Sequence, residues 1–180
     1  MFDPAAGINA SASDLTKWLR VQLDHGVLPD HSRLWSDAQS EAMWRPRTII
    51  SSGYGATPSI PTIPVLRTCA LGWFVQDYRG ELLLTHSGDL HGQTSETAIL
   101  PARGFGTVIL TNTQDAVTPA MRDAVLDALL GAPEIDWVAV YQSIQAEEQK
   151  DALAKQQTGT ISPPSPTPTL VAHVCRCIRE

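Results

Sequence analysis

The chain has 180 residues, a formal charge of −6 from 13 Lys plus Arg against 19 Asp plus Glu, and 43% hydrophobic residues, the proportions of a soluble globular protein. Its apolar runs, such as Val108 to Leu110, fall far short of the roughly 20 residues a membrane-spanning helix needs, and its acidic balance without a basic block is the wrong surface for nucleic acid. At about 150 residues per domain the length predicts one domain with a tail.

In chain order, residues 11–25 predict an amphipathic helix. Ser11 caps it with Asp14 three residues on, Leu15, Trp18, Leu19 and Leu23 share one face, and Gly26 stops it. A shorter helix starts at Ser36, with Gln39 completing a second capping box, and ends before Pro46. Residues 46–66, with Pro46, Pro58, Pro61 and Pro64, read as a long irregular loop. The stretch 70–112 reads as a three- or four-stranded antiparallel meander. Its strands are Leu71–Tyr78, Leu82–Thr85, Thr94–Leu100 and Phe105–Thr111, with tight turns at Arg79-Gly80 and at 101–104.

Thr118-Pro119 opens a helix whose apolar face is Val125, Leu126, Leu129 and Leu130, ended by Gly131. Asp136 caps another, with Trp137, Val140, Tyr141 and Ile144 on one side before it turns polar at Glu147. Residues 158–169, TGTISPPSPTPT, have the composition of an extended linker. Three cysteines, Cys69, Cys175 and Cys177, match neither zinc-ribbon nor C-x-x-C spacing and read as incidental. No charged-then-apolar stretch opens the chain, so no signal peptide is read.

No S-x-x-K, G-x-S-x-G, H-E-x-x-H, P-loop or dinucleotide fingerprint occurs. Asn9 and Asn112 are the only asparagines, and neither completes a Y-x-N triplet. Asn9-Ala10-Ser11 spells a glycosylation sequon, but Ser11 reads better as a helix cap. What stands out is THSGDLHGQ, residues 85–93, read as a polar connection between two strands. It is open to a bland reading as a turn, or to one as a metal site of His86, Asp89 and His91. A triad of Ser87, His86 and Asp89 is disfavoured, because neighbours on a strand point to opposite faces.

These residues carry a resemblance. PAAGINASASDLTKWLRVQL, residues 4–23, resembles the P-A-G-G-[IL]-x-S-[ST]-A-x-D-[LM] helix start of the serine β-lactamase-like hydrolases, the branch of class C β-lactamases, esterases, D-aminopeptidases and penicillin-binding relatives. Leu71-Gly72-Trp73 resembles the family's L-G-W strand, and His86-Ser87-Gly88 its third motif, K-T-G or H-[GST]-G. Ile99-Leu100-Pro101 and VILTN at 108–112 resemble the two strands that follow. The match runs from Pro4 to Asp136. The tail LVAHVCRC resembles the family's L-x-x-Y-x-G-x-Y, with His173, Cys175 and Cys177 in place of Tyr, Gly and Tyr.

The resemblance implies an α/β (α+β) fold: the C-terminal portion of a β-lactamase/transpeptidase-like domain, an antiparallel sheet with packed helices, incomplete. It divides the chain into that part (1–135), an exit helix (136–157), a Pro-rich linker (158–169) and the remnant of a truncated C-terminal domain (170–180). It implies acyl-enzyme hydrolysis of an ester, peptide or β-lactam, with His86, Ser87, Gly88 and Asp89 as the third-motif residues. The Asp89 N–H would serve as one oxyanion-hole donor, a contribution of about 3–4 kcal/mol in such sites. Histidine is only partly charged at neutral pH where lysine is fully so, which favours esters or peptides over carboxylate-bearing β-lactams.

The family's nucleophile belongs to an N-terminal half that these residues do not include. The expectation is therefore a fragment, inactive alone, or a diverged non-catalytic relative. The rival is a binding or complementation module pairing through an exposed sheet edge. Partners implied are a small-molecule or peptide substrate for the full-length parent, with no nucleic acid and no membrane span. No metal or organic cofactor is implied, and full-length relatives would be periplasmic or secreted.

Overall fold

The computed structural model describes residues 7–52, 60–113 and 116–157. The expected linker 158–169 and remnant 170–180 lie outside the described residues, as does the 53–59 part of the 46–66 loop.

Both leading helices begin where their caps predict. For α1 (Ala12–Leu23), the Asp14 N–H donates to Ser11 Oγ at 3.2 Å, and Ser11 Oγ donates to the Asp14 carboxylate at 2.7 Å. For α2 (Asp37–Trp44), the capping box is complete. The Gln39 N–H donates to Ser36 Oγ, and the Ser36 N–H donates to Gln39 Oε1 at 2.8 Å.

Six antiparallel strands follow in sequence order: β1 (Thr48–Ser52), β2 (Leu66–Cys69), β3 (Phe74–Tyr78), β4 (Glu81–Leu90), β5 (Gln93–Leu100) and β6 (Phe105–Thr111). The expected meander is thus extended by β1 and β2. Thr48–Ser52 was read as loop, yet it pairs with β2 from Thr48↔Cys69 to Ser52↔Leu66, with a bulge between Ile49 and Ser51. Five residues beside a proline-rich run carry too little periodicity to announce a strand; the partner edge of β2 decides it. The strand expected from Leu71 starts instead at Phe74, after a turn closed by Ala70 N–H donating to the Trp73 carbonyl at 2.7 Å. Arg79 and Gly80, with φ of 50° and 82°, form the tight turn between β3 and β4. Cys69 is disulfide-bonded, which corrects its reading as incidental; Cys175 and Cys177 lie outside the described residues.

Successive residues of β4 define the two layers, since Leu83 and Leu84 are both fully buried and point to opposite faces. Leu84 packs with Val75, Ile99, Trp73 and, from α1, Leu19. Gly106 on β6 makes that approach possible: a Cβ there would stand 3.1 Å from Leu19 Cδ1. On the other face Leu83 packs with Tyr78, Ala98, Leu100 and Leu126 of α3 (Val117–Leu130), which ends at Gly131 in the left-handed region as expected.

The buried side of α3 is more polar than its sequence suggests. Val125 and Leu129 are exposed, while Asp123 and Asp127 are buried. Asp127 accepts from Tyr78 Oη (2.7 Å), Arg79 Nε and Nη2 (2.6 and 2.8 Å) and Trp137 Nε1 (3.0 Å). Asp123 takes Arg122 Nε at 2.7 Å and Tyr141 Oη at 2.8 Å, and Arg122 also reaches Glu96 of β5 at 2.9 Å. Trp137 and Tyr141 belong to α4 (Trp137–Gln157), where Asp136 Oδ1 accepts from the Ala139 N–H at 3.0 Å. Two carboxylates on one helix thereby tie the sheet, its Arg79 turn and the exit helix together.

Removing one partner of such a buried pair leaves an uncompensated charge, so Asp127→Ala should cost about 3–5 kcal/mol, measured by urea unfolding monitored by circular dichroism. Ser36→Ala, losing only the α2 cap, should cost about 1 kcal/mol in the same measurement. Burial holds the Tyr78 and Tyr141 hydroxyls above the usual phenol range, with Asp123 adding to the rise for each. The unfolded phenols release their protons near pH 10 while the folded ones keep them, so stability present below about pH 10 should fall as pH rises beyond it. In Tyr78→Phe the alkaline fall should be shallower.

Candidate active-site strand

The sequence places His86-Ser87-Gly88-Asp89 in a connection; the structure places all four inside β4, and only His91 and Gly92 form the loop to β5. The pairing runs Leu84↔Ile99, His86↔Thr97, Ser87↔Glu96, Gly88↔Ser95 and Asp89↔Thr94 to Leu90↔Gln93. Polar residues mid-strand hid this, because a two-residue loop at His91-Gly92 is enough to reverse the chain.

Register then fixes what each residue presents. In an antiparallel hairpin closed by a two-residue loop, the closing pair exchanges hydrogen bonds and every second pair does likewise. Leu90, Gly88 and His86 therefore turn their backbone groups to β5, and Ser87 and Asp89 turn theirs to the opposite side. On that side β3 reaches only as far as Phe74↔Thr85. The motif half of β4 thus belongs to an interior strand by one edge and extends beyond the end of β3 by the other.

Side chains alternate across the same strand. Ser87 and Asp89 are exposed and share the α3 face with Glu96; His86 is half-buried and lies, by strand alternation, on the α1 side. Ser87, His86 and Asp89 therefore do not converge as a triad. Among the described residues no three His, Cys, Asp or Glu side chains form a group that could hold a metal ion, so His86, Asp89 and His91 do not compose one.

The His86 ring stacks on Phe74 at 5.7 Å between centroids and 19° between planes, and its carbonyl accepts from Thr97 Oγ1 at 3.0 Å. The Arg67 guanidinium lies over the same Phe74 ring, 4.4 Å from its centroid. Desolvation, and then the charge of Arg122, lower the Arg67 pKa below the ordinary guanidinium range. Gly88 has no room for a side chain as Ser95 stands, since a Cβ would come 2.5 Å from Ser95 Oγ.

Beside His86 and Thr97 opens a cleft of about 290 Å³, walled by Trp18 and Gln22 of α1, Met43 of α2, and Leu71, Gly72 and Trp73 of the turn before β3. The Leu71 N–H donates to the Met43 carbonyl at 3.1 Å, which fixes the turn against α2. Sequence reasoning assigned Trp18 to a core face, whereas it is 43% exposed at the cleft. It also passed over Gln22, which is 1% exposed and takes a long hydrogen bond from Trp44 Nε1 (3.4 Å) on Oε1. The signal was present: Leu15, Trp18, Leu19, Gln22 and Leu23 form one helical stripe, and the polar member of an apolar stripe is the informative one.

Among the described residues no helix is long and apolar enough to cross a membrane. The Beta-lactamase family model matches residues 1–132. The chain is similar to the Unguisins hydrolase ungD' of Aspergillus campestris, 28% identical over 172 residues that cover 89% of this chain and 29% of that protein. It is also similar to the Unguisins hydrolase ungD of Aspergillus violaceofuscus, 31% identical over 63% of this chain and 21% of that protein. A third relative, Penicillin-binding protein 4 of Amycolatopsis lactamdurans, is 27% identical over 61% of this chain and 26% of that protein. The chain thus spans between a fifth and three-tenths of the length of these curated relatives. With a six-stranded antiparallel sheet packed between helices and the family match over residues 1–132, the chain belongs to the β-lactamase family.

Proposed function

We propose that this chain supplies the third-motif wall of a serine hydrolase that works through an acyl-enzyme on an ester, peptide or β-lactam. The carrying observation is the register of β4, in which Ser87 and Asp89 turn their backbone groups away from β5 past the end of β3. In an acyl-transfer site, such an N–H aimed at the developing oxyanion contributes more in the transition state than in the ground state. In this reading the Asp89 N–H is that donor, Gly88 keeps the strand surface low, and His86 presents an imidazole where the K-T-G members carry lysine. The S-x-x-K serine and its Tyr partner come from polypeptide beyond residues 1–180, so this stretch by itself carries out no acyl transfer. The names of the relatives, two Unguisins hydrolases and one penicillin-binding protein, support a hydrolase acting on a small-molecule substrate.

Residues 1–180 should neither hydrolyse a chromogenic ester or β-lactam nor be labelled by a fluorescent penicillin. Turnover by this chain, abolished by Ser87→Ala, would overturn the reading. In a longer polypeptide with an in-frame S-x-x-K and Y-x-N, Asp89→Pro should lower kcat by about 100- to 1000-fold while Asp89→Asn retains most of it. Proline removes the N–H, and with that N–H turned outward no ladder bond to β5 is lost.

A second reading, edge pairing by a complementation module, is favoured by β1, an end strand whose Ile49 and Ile50 are 67% and 48% exposed. If it holds, the chain should elute above its monomer mass in size-exclusion chromatography, and Ile49→Lys should return it to the monomer position.

A further inference from the structure

The cleft beside His86 has a feature that packing alone leaves unexplained. Gln22 is almost wholly buried, yet its Nε2 has no hydrogen-bond acceptor among its neighbours, although the Oε1 of the same amide is engaged by Trp44. Leaving a buried donor unmatched costs about 1–3 kcal/mol, and a leucine would fill this position of an apolar helical stripe without that cost. An amide in a cleft whose apolar walls are Trp18, Trp73, Met43 and Leu71, with His86 and Thr97 as further polar members, is the composition of a binding pocket: apolar walls with a few placed polar groups.

The position of the cleft says what class of ligand reaches it. Trp73 and Gly72 precede the first residue of β3, so the cleft lies where β3 stops and the outward-turned backbone of Ser87 begins. An extended amide chain laid along β4 there would pair with the Ser87 backbone, and strand alternation would send every second side chain to the α1 face. The first such side chain meets the cleft.

We infer that the Trp18–Gln22–Trp73 cleft is a side-chain subsite for an aromatic residue of a peptide-like substrate, with Gln22 Nε2–H donating to an acceptor of that residue. This rests on the hydrolase reading for the word substrate, but the binding itself needs no nucleophile. A ring suits the opening because two indoles form its walls and edge-to-face contacts add to area burial. Gln22 would then be a specificity residue rather than a catalytic one.

The test uses residues 1–180 and two probes, N-acetylphenylalaninamide and N-acetylalaninamide, followed by the tryptophan side-chain N–H signals in two-dimensional NMR. The expected result is saturable shifts of the Trp18 and Trp73 signals with the phenylalanine amide, and at least about tenfold weaker binding of the alanine amide. Met43→Trp, filling the cleft, should abolish the shift of the remaining wall signals. Trp18→Ala removes one wall at a half-exposed helix position and should weaken the phenylalanine amide about tenfold with an unchanged circular dichroism spectrum. Gln22→Leu should bring the affinity for the amide down towards that for toluene while toluene binding is kept. Equal binding of the two amides, or none, overturns the subsite and leaves the hydrolase reading standing. Conversely, acyl transfer traced to another wall of the longer polypeptide would overturn that reading without moving these shifts.

Discussion

Asp127 collects four hydrogen bonds on one buried carboxylate, and each donor arrives from a different part of the fold: Tyr78 from β3, Arg79 twice from the turn after it, and Trp137 from the exit helix. A charge in so dry a place is tolerable only when fully matched. The match therefore dictates where α3 lies on the sheet and where α4 leaves it. It also sets the origin of β4, because the Arg79-Gly80 turn that starts the strand is held by the same carboxylate.

From that origin the register of β4 follows residue by residue. Ten residues separate the held turn from the His91-Gly92 loop, and the parity of that count decides that Ser87 and Asp89, not His86 and Gly88, turn their backbone groups towards the side β3 vacates. A one-residue slip would reverse all four. The ionic layer on the α3 face and the open edge of the motif are thus one mechanical system. The buried ionic contacts lie on the face away from α1, while an apolar cluster, the cleft and His86 lie on the face towards it.

Much of the local structure was legible because it is local. The caps at Ser11, Ser36 and Asp136, the turn at Arg79-Gly80 and the stop at Gly131 each depend on residues within four positions of one another. The family pattern from Pro4 to Asp136 was legible for a different reason, as motifs in order. What failed was what depends on a partner: β1 inside a proline-rich stretch, the continuation of β4 through polar residues, and the aspartates on the buried side of α3. The apolar face expected there, Val125 and Leu129 included, is half exposed because Asp123 and Asp127 turn inward to donors on the sheet and on the exit helix. The Tyr78 and Arg79 donors to Asp127 stand almost fifty positions away, outside any local window of sequence.

By itself, then, the sequence determined where helices start and stop and the antiparallel order of the central strands, since short-range hydrogen bonding and hydrophobic period are written within a few positions. The tertiary structure alone decided that Ser87 and Asp89 turn their backbone groups away from β5, that His86 and Ser87 face apart, and that Trp18, Gln22 and Trp73 share a cleft. Those are matters of register and of contacts between residues as far apart as 18 and 97, set by pairing energies summed over whole strands.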